Sequence, residues 1–240
     1  MKTSKYLIVM PTFNEAENVQ IIIPEVFDSV DDSVDILVVD DNSPDGTSDV
    51  VANLQTSFSS LYLVTKTKDK GFAKAYITGF QYAIENNYDY VIQMDADGSH
   101  QPKFLKKLIE ASEDNNYVIG SRWVKGGSVV NWPFQRKVLS LGGNFYAQIM
   151  LHSRLKDITG GFKVINVELL KAMDVSSIES KGYSFQIELM LRARKVGAKI
   201  KEVPIVFVER VNGVSKMSGK IIIEAMLFVT KTGFKSIVGK

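Results

Sequence analysis

Three clusters of oxygen-bearing side chains stand out along the 240 residues. Pro11-Thr12-Phe13-Asn14-Glu15 comes first, Asp40-Asp41-Asn42-Ser43-Pro44-Asp45-Gly46 second, and Asp95-Ala96-Asp97 third. Carboxylates are hard donors that suit Mg²⁺ or Mn²⁺, ions that keep waters and bind the phosphate oxygens of a substrate. Two aspartates one residue apart can aim one carboxylate at such an ion while the other holds a sugar, a ribose or a lysine. Any one cluster also reads as turn or capping chemistry, and a lone D-x-D is a weak signal. What the three share is their position: each follows a short apolar run.

Those runs are what must position them. Residues 6–10, stopped by Pro11, and residues 35–39 and 90–94 read as strands buried on both faces, with further strands expected at 61–65 and 117–120. Helices are expected between them. Asn14 reads as an N-cap with Glu17 three residues on, and Val19, Ile22, Ile23, Val26, Phe27 and Val30 then share one face. Further helices are expected at 47–56, 73–85 and 103–113. Repeated β-α units imply a mainly parallel sheet with right-handed crossovers, whose ligands bind beyond the carboxyl ends of the strands. The three clusters fall there.

After about Arg122 the rhythm breaks. Loops are expected at 124–133 and 157–162, helices at 136–151 and 183–195, and an extended stretch at 200–208 interrupted by Pro204. With no linker, repeat or low-complexity tract, the expectation is one α/β domain over residues 1–217. Its nucleotide-binding half runs to about residue 122 and its acceptor half over about 123–217. An amphipathic helix follows at 218–240. There Lys220, Glu224, Lys231 and Lys235 share one side and Ile221, Ile222, Ala225, Met226, Phe228 and Val229 the other. That apolar side suits either a membrane surface or the domain's own core.

Composition excludes several classes. Without cysteine there is no disulfide scaffold, zinc–thiolate site or thiol nucleophile. The net charge of +2 does not suggest a nucleic-acid binder. Neither G-x-G-x-x-G nor G-x-x-x-x-G-K-[ST] occurs, and neither His100 nor His152 lies near a serine elbow, so dehydrogenase, P-loop NTPase and serine hydrolase are unsupported. No signal peptide and no apolar run of spanning length is found, which leads to the expectation of an intracellular, soluble or peripheral protein. Charge is uneven, however: eight aspartates and no basic residue lie between Asp28 and Asp49, and five lysines against one glutamate lie between Val211 and Lys240.

The three clusters together resemble the inverting family 2 glycosyltransferases of GT-A fold. The resemblance narrows to the dolichyl-phosphate (polyprenol-phosphate) mannosyltransferases through Ser43-Pro44-Asp45-Gly46-Thr47, Gly120-Ser121-Arg122 and Asn131-Trp132-Pro133 with Arg136-Lys137. It continues through Asp157-Ile158-Thr159-Gly160-Gly161-Phe162, Val203-Pro204 and residues 210–216. It implies that Pro11, Phe13, Glu15, Val39 and Asp41 line a nucleoside pocket. Asp95, Ala96 and Asp97 would hold the diphosphate, with Asp97 the direct ligand of Mg²⁺ or Mn²⁺ and Asp95 and Ser99 completing the metal site. Ser99 stands where the family often has glutamine, a better donor. Arg122, Arg136, Ser140 and Arg210 match contacts to the acceptor phosphate or the leaving diphosphate, and Lys216 a nucleotide-phosphate contact.

The implied activity is inverting transfer of mannose from GDP-mannose to a polyprenyl or dolichyl phosphate. Such an enzyme would work peripherally on the cytoplasmic side of a membrane, alone or with small membrane subunits. Two alternatives stay open: another sugar nucleotide such as UDP-glucose, or a catalytically silent nucleotide-sugar-binding subunit. Retention of both aspartates and the arginines speaks against silence. An acceptor phosphate is already anionic at neutral pH and needs no strong base. The harder task is bringing it to a diphosphate, which a cation and planar guanidinium forks accomplish.

Overall fold

The computed structural model describes residues 4–209 and 219–238. Its centre is a seven-stranded sheet of order β3-β2-β1-β4-β7-β5-β8. The strands are β1 (Tyr6–Thr12), β2 (Val34–Asp40), β3 (Leu61–Thr65), β4 (Tyr90–Gln93), β5 (Tyr117–Ser121), β7 (Lys163–Asn166) and β8 (Ile200–Pro204). The first four strands and the β5–β8 pair run parallel; β7 is antiparallel to both β4 and β5. A separate parallel pair joins β6 (Ser128–Val130) to β9 (Val206–Val208).

Alternation along the strands builds two cores. Ile8, Met10, Ile36, Val38, Ile92 and Val164 face α1 (Ala16–Ser29), α2 (Thr47–Leu54) and α4 (Leu105–Ser112). Leu7, Val9, Leu37, Val39, Val91 and Ile165 face α3 (Phe72–Glu85), α6 (Val167–Ala172) and α7 (Gly182–Lys195). In α3 only glycine fits at Gly79, because a Cβ there would lie 2.2 Å from Val9 Cγ1. A smaller third cluster joins α5 (Phe134–Met150), α7 and α8 (Gly219–Val238) through Ala147, Ile158, Ile187, Met190 and Val229. No helix of the described residues is long and apolar enough to cross a membrane.

The expected βα rhythm is present in the first half, with strand ends within one or two residues. Three details differ. Asn14 is not an N-cap: it has φ 58°, and α1 begins at Ala16. The amide groups that open α1 are taken from outside, Glu15 N–H by Thr47 Oγ1 and Ala16 N–H by Asp45 Oδ2. Second, the expected loop at 124–133 contains β6, whose exposed pattern gives no burial signal. Third, β7 and α6 follow immediately after the loop at 157–162, where a buried lysine interrupts the apolar run.

Candidate active site

The loops beyond β1, β2 and β4 are braced against one another by carboxylates. Asp40, fully buried, accepts from Thr12 Oγ1 (2.8 Å), Ser43 N (2.8 Å), Ser43 Oγ (2.5 Å) and Ser48 Oγ (2.9 Å). The donors come from the end of β1, from the turn after β2 and from the first turn of α2, so Asp40 ties these three together. Asp41 points elsewhere. Its Oδ2 accepts from Gly71 N at 2.6 Å, while its buried Oδ1 has no partner among the described residues. An acceptor left unpaired in a buried place is costly, and a base or ribose donor would satisfy it.

Asp95 and Asp97 leave the end of β4 in different settings. Tyr76 Oη donates to Asp95 Oδ1 at 2.9 Å. Burial first, and then the Asp95 charge, push the Tyr76 phenol well up, so it remains a donor. Asp95 N–H donates to His100 Nδ1 at 3.0 Å, which leaves the proton of a neutral imidazole on Nε2. Burial, against the pull of Asp95 and Asp97, holds His100 below its usual value. Asp97 Oδ1 accepts from Ser99 N at 3.1 Å, and the buried Ser99 Oγ has no partner among the described residues.

No group of three or more His, Cys, Asp or Glu side chains forms a metal cage among the described residues. Two carboxylates and an orphaned hydroxyl nevertheless fit a hard cation that takes its remaining oxygens from water and phosphate. When bound, such an ion would neutralise charge on a diphosphate.

A cavity of about 360 Å³ is lined by Pro11, Glu15 and Phe72, by Asp95, Ala96, Asp97, Ser99 and His100, and by Arg122 and Arg136. Arg122 follows β5 and is buried against Asp157: Nε reaches Oδ2 at 2.7 Å and Nη2 reaches Oδ1 at 2.6 Å. Nη2 also donates to Thr159 Oγ1 at 3.0 Å. Burial would lower this guanidinium, but the Asp157 charge and hydrogen bonds outweigh it and hold it above its ordinary value. Arg136, at the start of α5, is paired with Glu209. Trp132 lies between the two arginines, its ring 5.6 Å from the Arg122 guanidinium carbon and 4.1 Å from that of Arg136. The ring fixes two like charges in one wall at little conformational cost.

A second cavity of about 400 Å³ opens on the far side of those arginines. Arg122, Arg136, Thr159 and Tyr183 border both. The second is otherwise largely apolar, framed by Val138, Leu139 and Ala147 of α5 and Ile222, Met226 and Val229 of α8, with Ser140 on its wall.

Family assignment follows from comparison with known proteins. The model of the glycosyl transferase family 2 matches residues 7–173. The chain belongs to glycosyl transferase family 2. It is 45% identical to an undecaprenyl-phosphate mannosyltransferase of Micrococcus luteus, over 95% of this chain and 94% of that one. It is 42% identical to a polyprenol monophosphomannose synthase of Mycolicibacterium smegmatis, over 97% of this chain and 88% of that one. Among solved structures, glucosyl-3-phosphoglycerate synthase of Mycobacterium tuberculosis, in complex with Mn²⁺, UDP and phosphoglyceric acid, superposes with TM-score 0.73 at 17% identity, covering 96% of this chain and 78% of that one. A mannosyltransferase of Pyrobaculum calidifontis in complex with GDP-Man and Mn²⁺ gives TM-score 0.63 at 15% identity, covering 100% of this chain and 75% of that one. These two likenesses bear on the GT-A fold alone.

The glycosyltransferase brings most of the sequence-derived residues together. Pro11, Glu15, Asp95, Ala96, Asp97, Ser99, Arg122 and Arg136 all border the first cavity. Ser140 is on the second, and Phe13, exposed just ahead of α1, borders neither; nor does Asp41. The side chain of Val39 is fully buried between the sheet and α3 and borders neither cavity. Arg210 and Lys216 lie outside the described residues. In the sequence His100 reads only as a histidine without a serine elbow, yet its place three residues after Asp97 is a usable signal. Asp157, which fixes Arg122, had no charge signal of its own.

Proposed function

We propose that this glycosyltransferase moves mannose from GDP-mannose to a polyprenyl phosphate, with inversion at the anomeric carbon. The observation that carries this reading is the junction of two unlike cavities at a pair of arginines. The acidic cavity suits a nucleotide diphosphate with its cation, which Asp97, Asp95 and Ser99 would hold as Mg²⁺ or Mn²⁺. The apolar one suits a prenyl chain, and Arg136 with Ser140 suits the phosphate between. The names of the curated relatives support the same acceptor class and the same sugar.

In this reading an acceptor phosphate oxygen attacks the anomeric carbon of mannose. The bond from that carbon to the diphosphate breaks, and its electron pair leaves with GDP. The acceptor oxygen carries no proton to remove, so no general base is required. Arg122, held rigid by Asp157, and Arg136, stacked on Trp132, orient the two phosphate groups and offset their repulsion.

The acceptor's tail remains in a bilayer, and the outer faces of α5 and α8 suit that surface. Phe134, Val138, Leu141, Phe145 and Ile149 recur along α5 and are all exposed, as are Ile223, Met226, Leu227 and Phe234 on α8. Ala225, Phe228 and Val229 of α8 pack inward, which leaves its other side for a membrane surface. The reading is peripheral attachment on the cytoplasmic side, where sugar nucleotides are made.

A panel of radiolabelled sugar nucleotides, incubated with undecaprenyl phosphate and extracted with organic solvent, tests the proposal. Label entering the organic phase from GDP-mannose alone is expected. Label entering from UDP-glucose instead, or from none, would overturn it.

A further inference from the structure

A buried lysine lies beneath the first cavity and has no part in the mechanism above. Lys163 of β7 is fully inaccessible, opposite Gln93 of β4 and beside the Tyr117 ring of β5, whose centroid is 5.8 Å from Nζ. Its ammonium donates to Oε1 of Gln186, on α7. An ammonium has three donors and no acceptor, so only the oxygen of that amide can face it. The amide nitrogen of Gln186 is thereby turned away from Lys163. Gln186 is 2% exposed and borders the cavity, and its Nε2 has no hydrogen-bond partner among the described residues.

Gly161 keeps the space beside that nitrogen open. A Cβ built there would lie 3.7 Å from Gln186 Nε2 and 3.3 Å from His100 Cε1. Gly161 is not among the residues with positive φ, so its backbone does not itself demand glycine. The slot is flanked on one side by the imidazole of His100, stacked on Phe162 at 4.9 Å, and on the other by the Gln186 amide. Its neighbours tie it to both ends of the site: His100 accepts from Asp95 N–H, and Thr159, two residues before Gly161, accepts from Arg122. Of a sugar nucleotide held between those ends, the hexose ring is the part that reaches it.

We infer that Gln186 determines donor-sugar specificity by giving an amide hydrogen bond to a hexose hydroxyl, that Lys163 is the positioning residue that fixes the amide's orientation, and that Gly161 leaves room for the ring. This rests on the donor being a sugar nucleotide, and holds for whichever hexose it carries. Burial pulls the Lys163 amine down to about 7, against the opposing pull of Asp157 and with the help of Arg122. The orienting charge is therefore fully present only below neutrality. A buried donor left unpaired by the wrong epimer discriminates more strongly than a shape difference of similar size.

The test is calorimetric titration with GDP and steady-state transfer from GDP-mannose and GDP-glucose, each for wild type, Gln186→Glu, Lys163→Met and Gly161→Ala. Gln186→Glu keeps an acceptor for Lys163 and loses the outward donor. It is expected to leave GDP affinity within about twofold while lowering kcat/KM for GDP-mannose by roughly 10- to 100-fold and narrowing the preference over GDP-glucose. Lys163→Met should narrow that preference with a smaller loss of rate, and Gly161→Ala should act on the sugar nucleotide and spare GDP. A variant with a merely structural role would lose GDP and GDP-mannose together. If Gln186→Glu does not fold, Gly161→Ala decides. Wild-type kcat/KM and preference in the folded variants would overturn the inference, as would parallel loss of GDP binding. Failure of the wild type to transfer from any sugar nucleotide would instead overturn the function on which it rests.

Discussion

The loops beyond β1, β2 and β4, the first and last of which border the first cavity, and the wall that α5 and α8 make on the second cavity are stabilised in opposite ways. On the first side, the buried carboxylate of Asp40 is saturated by four hydrogen bonds from Thr12, Ser43 and Ser48. That surface is complete without a ligand except at a few atoms, Asp41 Oδ1 and Ser99 Oγ among them. On the second side the charges are held by aromatic rings and distant partners, and the helices leave large apolar side chains in water. A surface of that kind is completed by something apolar. Under the proposed function, the contrast separates a preformed nucleotide side from an acceptor side that needs its partner.

The strongest way to break that contrast is at its acidic end. Asp97→Asn removes one charge, keeps the shape and leaves the Ser99 N–H acceptor in place. Transfer should fall by roughly 1,000-fold or more while the circular dichroism spectrum and melting profile stay native. Substantial activity in this variant, or in wild type with excess chelator, would remove the diphosphate-and-cation role from Asp97.

Arg136→Ala probes the junction. Loss of a partly buried guanidinium from the acceptor side should cost about 2–4 kcal/mol in the barrier, or roughly 30- to 1,000-fold in rate, with GDP-mannose affinity nearly unchanged. Equal damage to donor binding in calorimetry would move Arg136 to the nucleotide side and blur the division.

How much of this was legible in the sequence also differs between the two sides. The nucleotide side follows from local rules: a short apolar strand, then turn residues, then a helix. Residues 61–65 were expected as a strand and form β3, and the acidic clusters were expected at strand ends and lie there. The acceptor side depends on contacts distant in sequence. Arg122 is fixed by Asp157, thirty-five positions on, and Arg136 by Glu209, seventy-three positions on. No periodicity encodes such pairs. The exposed stripe on α5 was readable in principle, since Phe134, Val138, Leu141 and Phe145 recur at i, i+4, i+7 and i+11. The same pattern marks a buried face, however, and only the packed structure shows that this one looks outward. Asn14 errs in the other direction: its type and spacing suit an N-cap, but its own N–H donates to Ser43 Oγ, and the acceptors for the N–H groups that open α1 are Thr47 and Asp45.

Lys163 sharpens the comparison because it lies beneath the junction and belongs to neither surface. Its folded-state value of about 7 is below the ordinary 10.5. Below about pH 7 both folded and unfolded chains carry the proton, and the full cost of burying the charge is present. Between 7 and 10.5 the unfolded chain binds the proton and the folded chain does not, so stability rises with pH. Lys163→Met removes this dependence and leaves Gln186 Oε1 without its donor at every pH. The melting-temperature difference between variant and wild type should therefore shift by an amount equivalent to about 2–3 kcal/mol between pH 6 and pH 9, in favour of the variant at the lower pH. A difference independent of pH would mean that Lys163 is charged throughout that range.

The smallest effect concerns the outer face of α5. Phe145 is 63% exposed and borders neither cavity, so replacing it leaves the nucleotide site and the arginine pair intact. If this face enters a bilayer interface, Phe145→Asp loses part of an aromatic ring's transfer energy and adds a charge at an apolar depth. About 2 kcal/mol follows, or roughly a 30-fold drop in partitioning to vesicles. Flotation with liposomes containing anionic lipid measures it, and GDP binding in solution should be unaltered. Leu227→Asp on α8 should act in the same direction, since Leu227 is 65% exposed on the outward side of that helix. Flotation unchanged in both variants would show that the exposed stripes meet something other than lipid, such as a membrane subunit. Loss with only one of them would tell which helix enters the interface, because both flank the cavity through which a prenyl chain would have to leave.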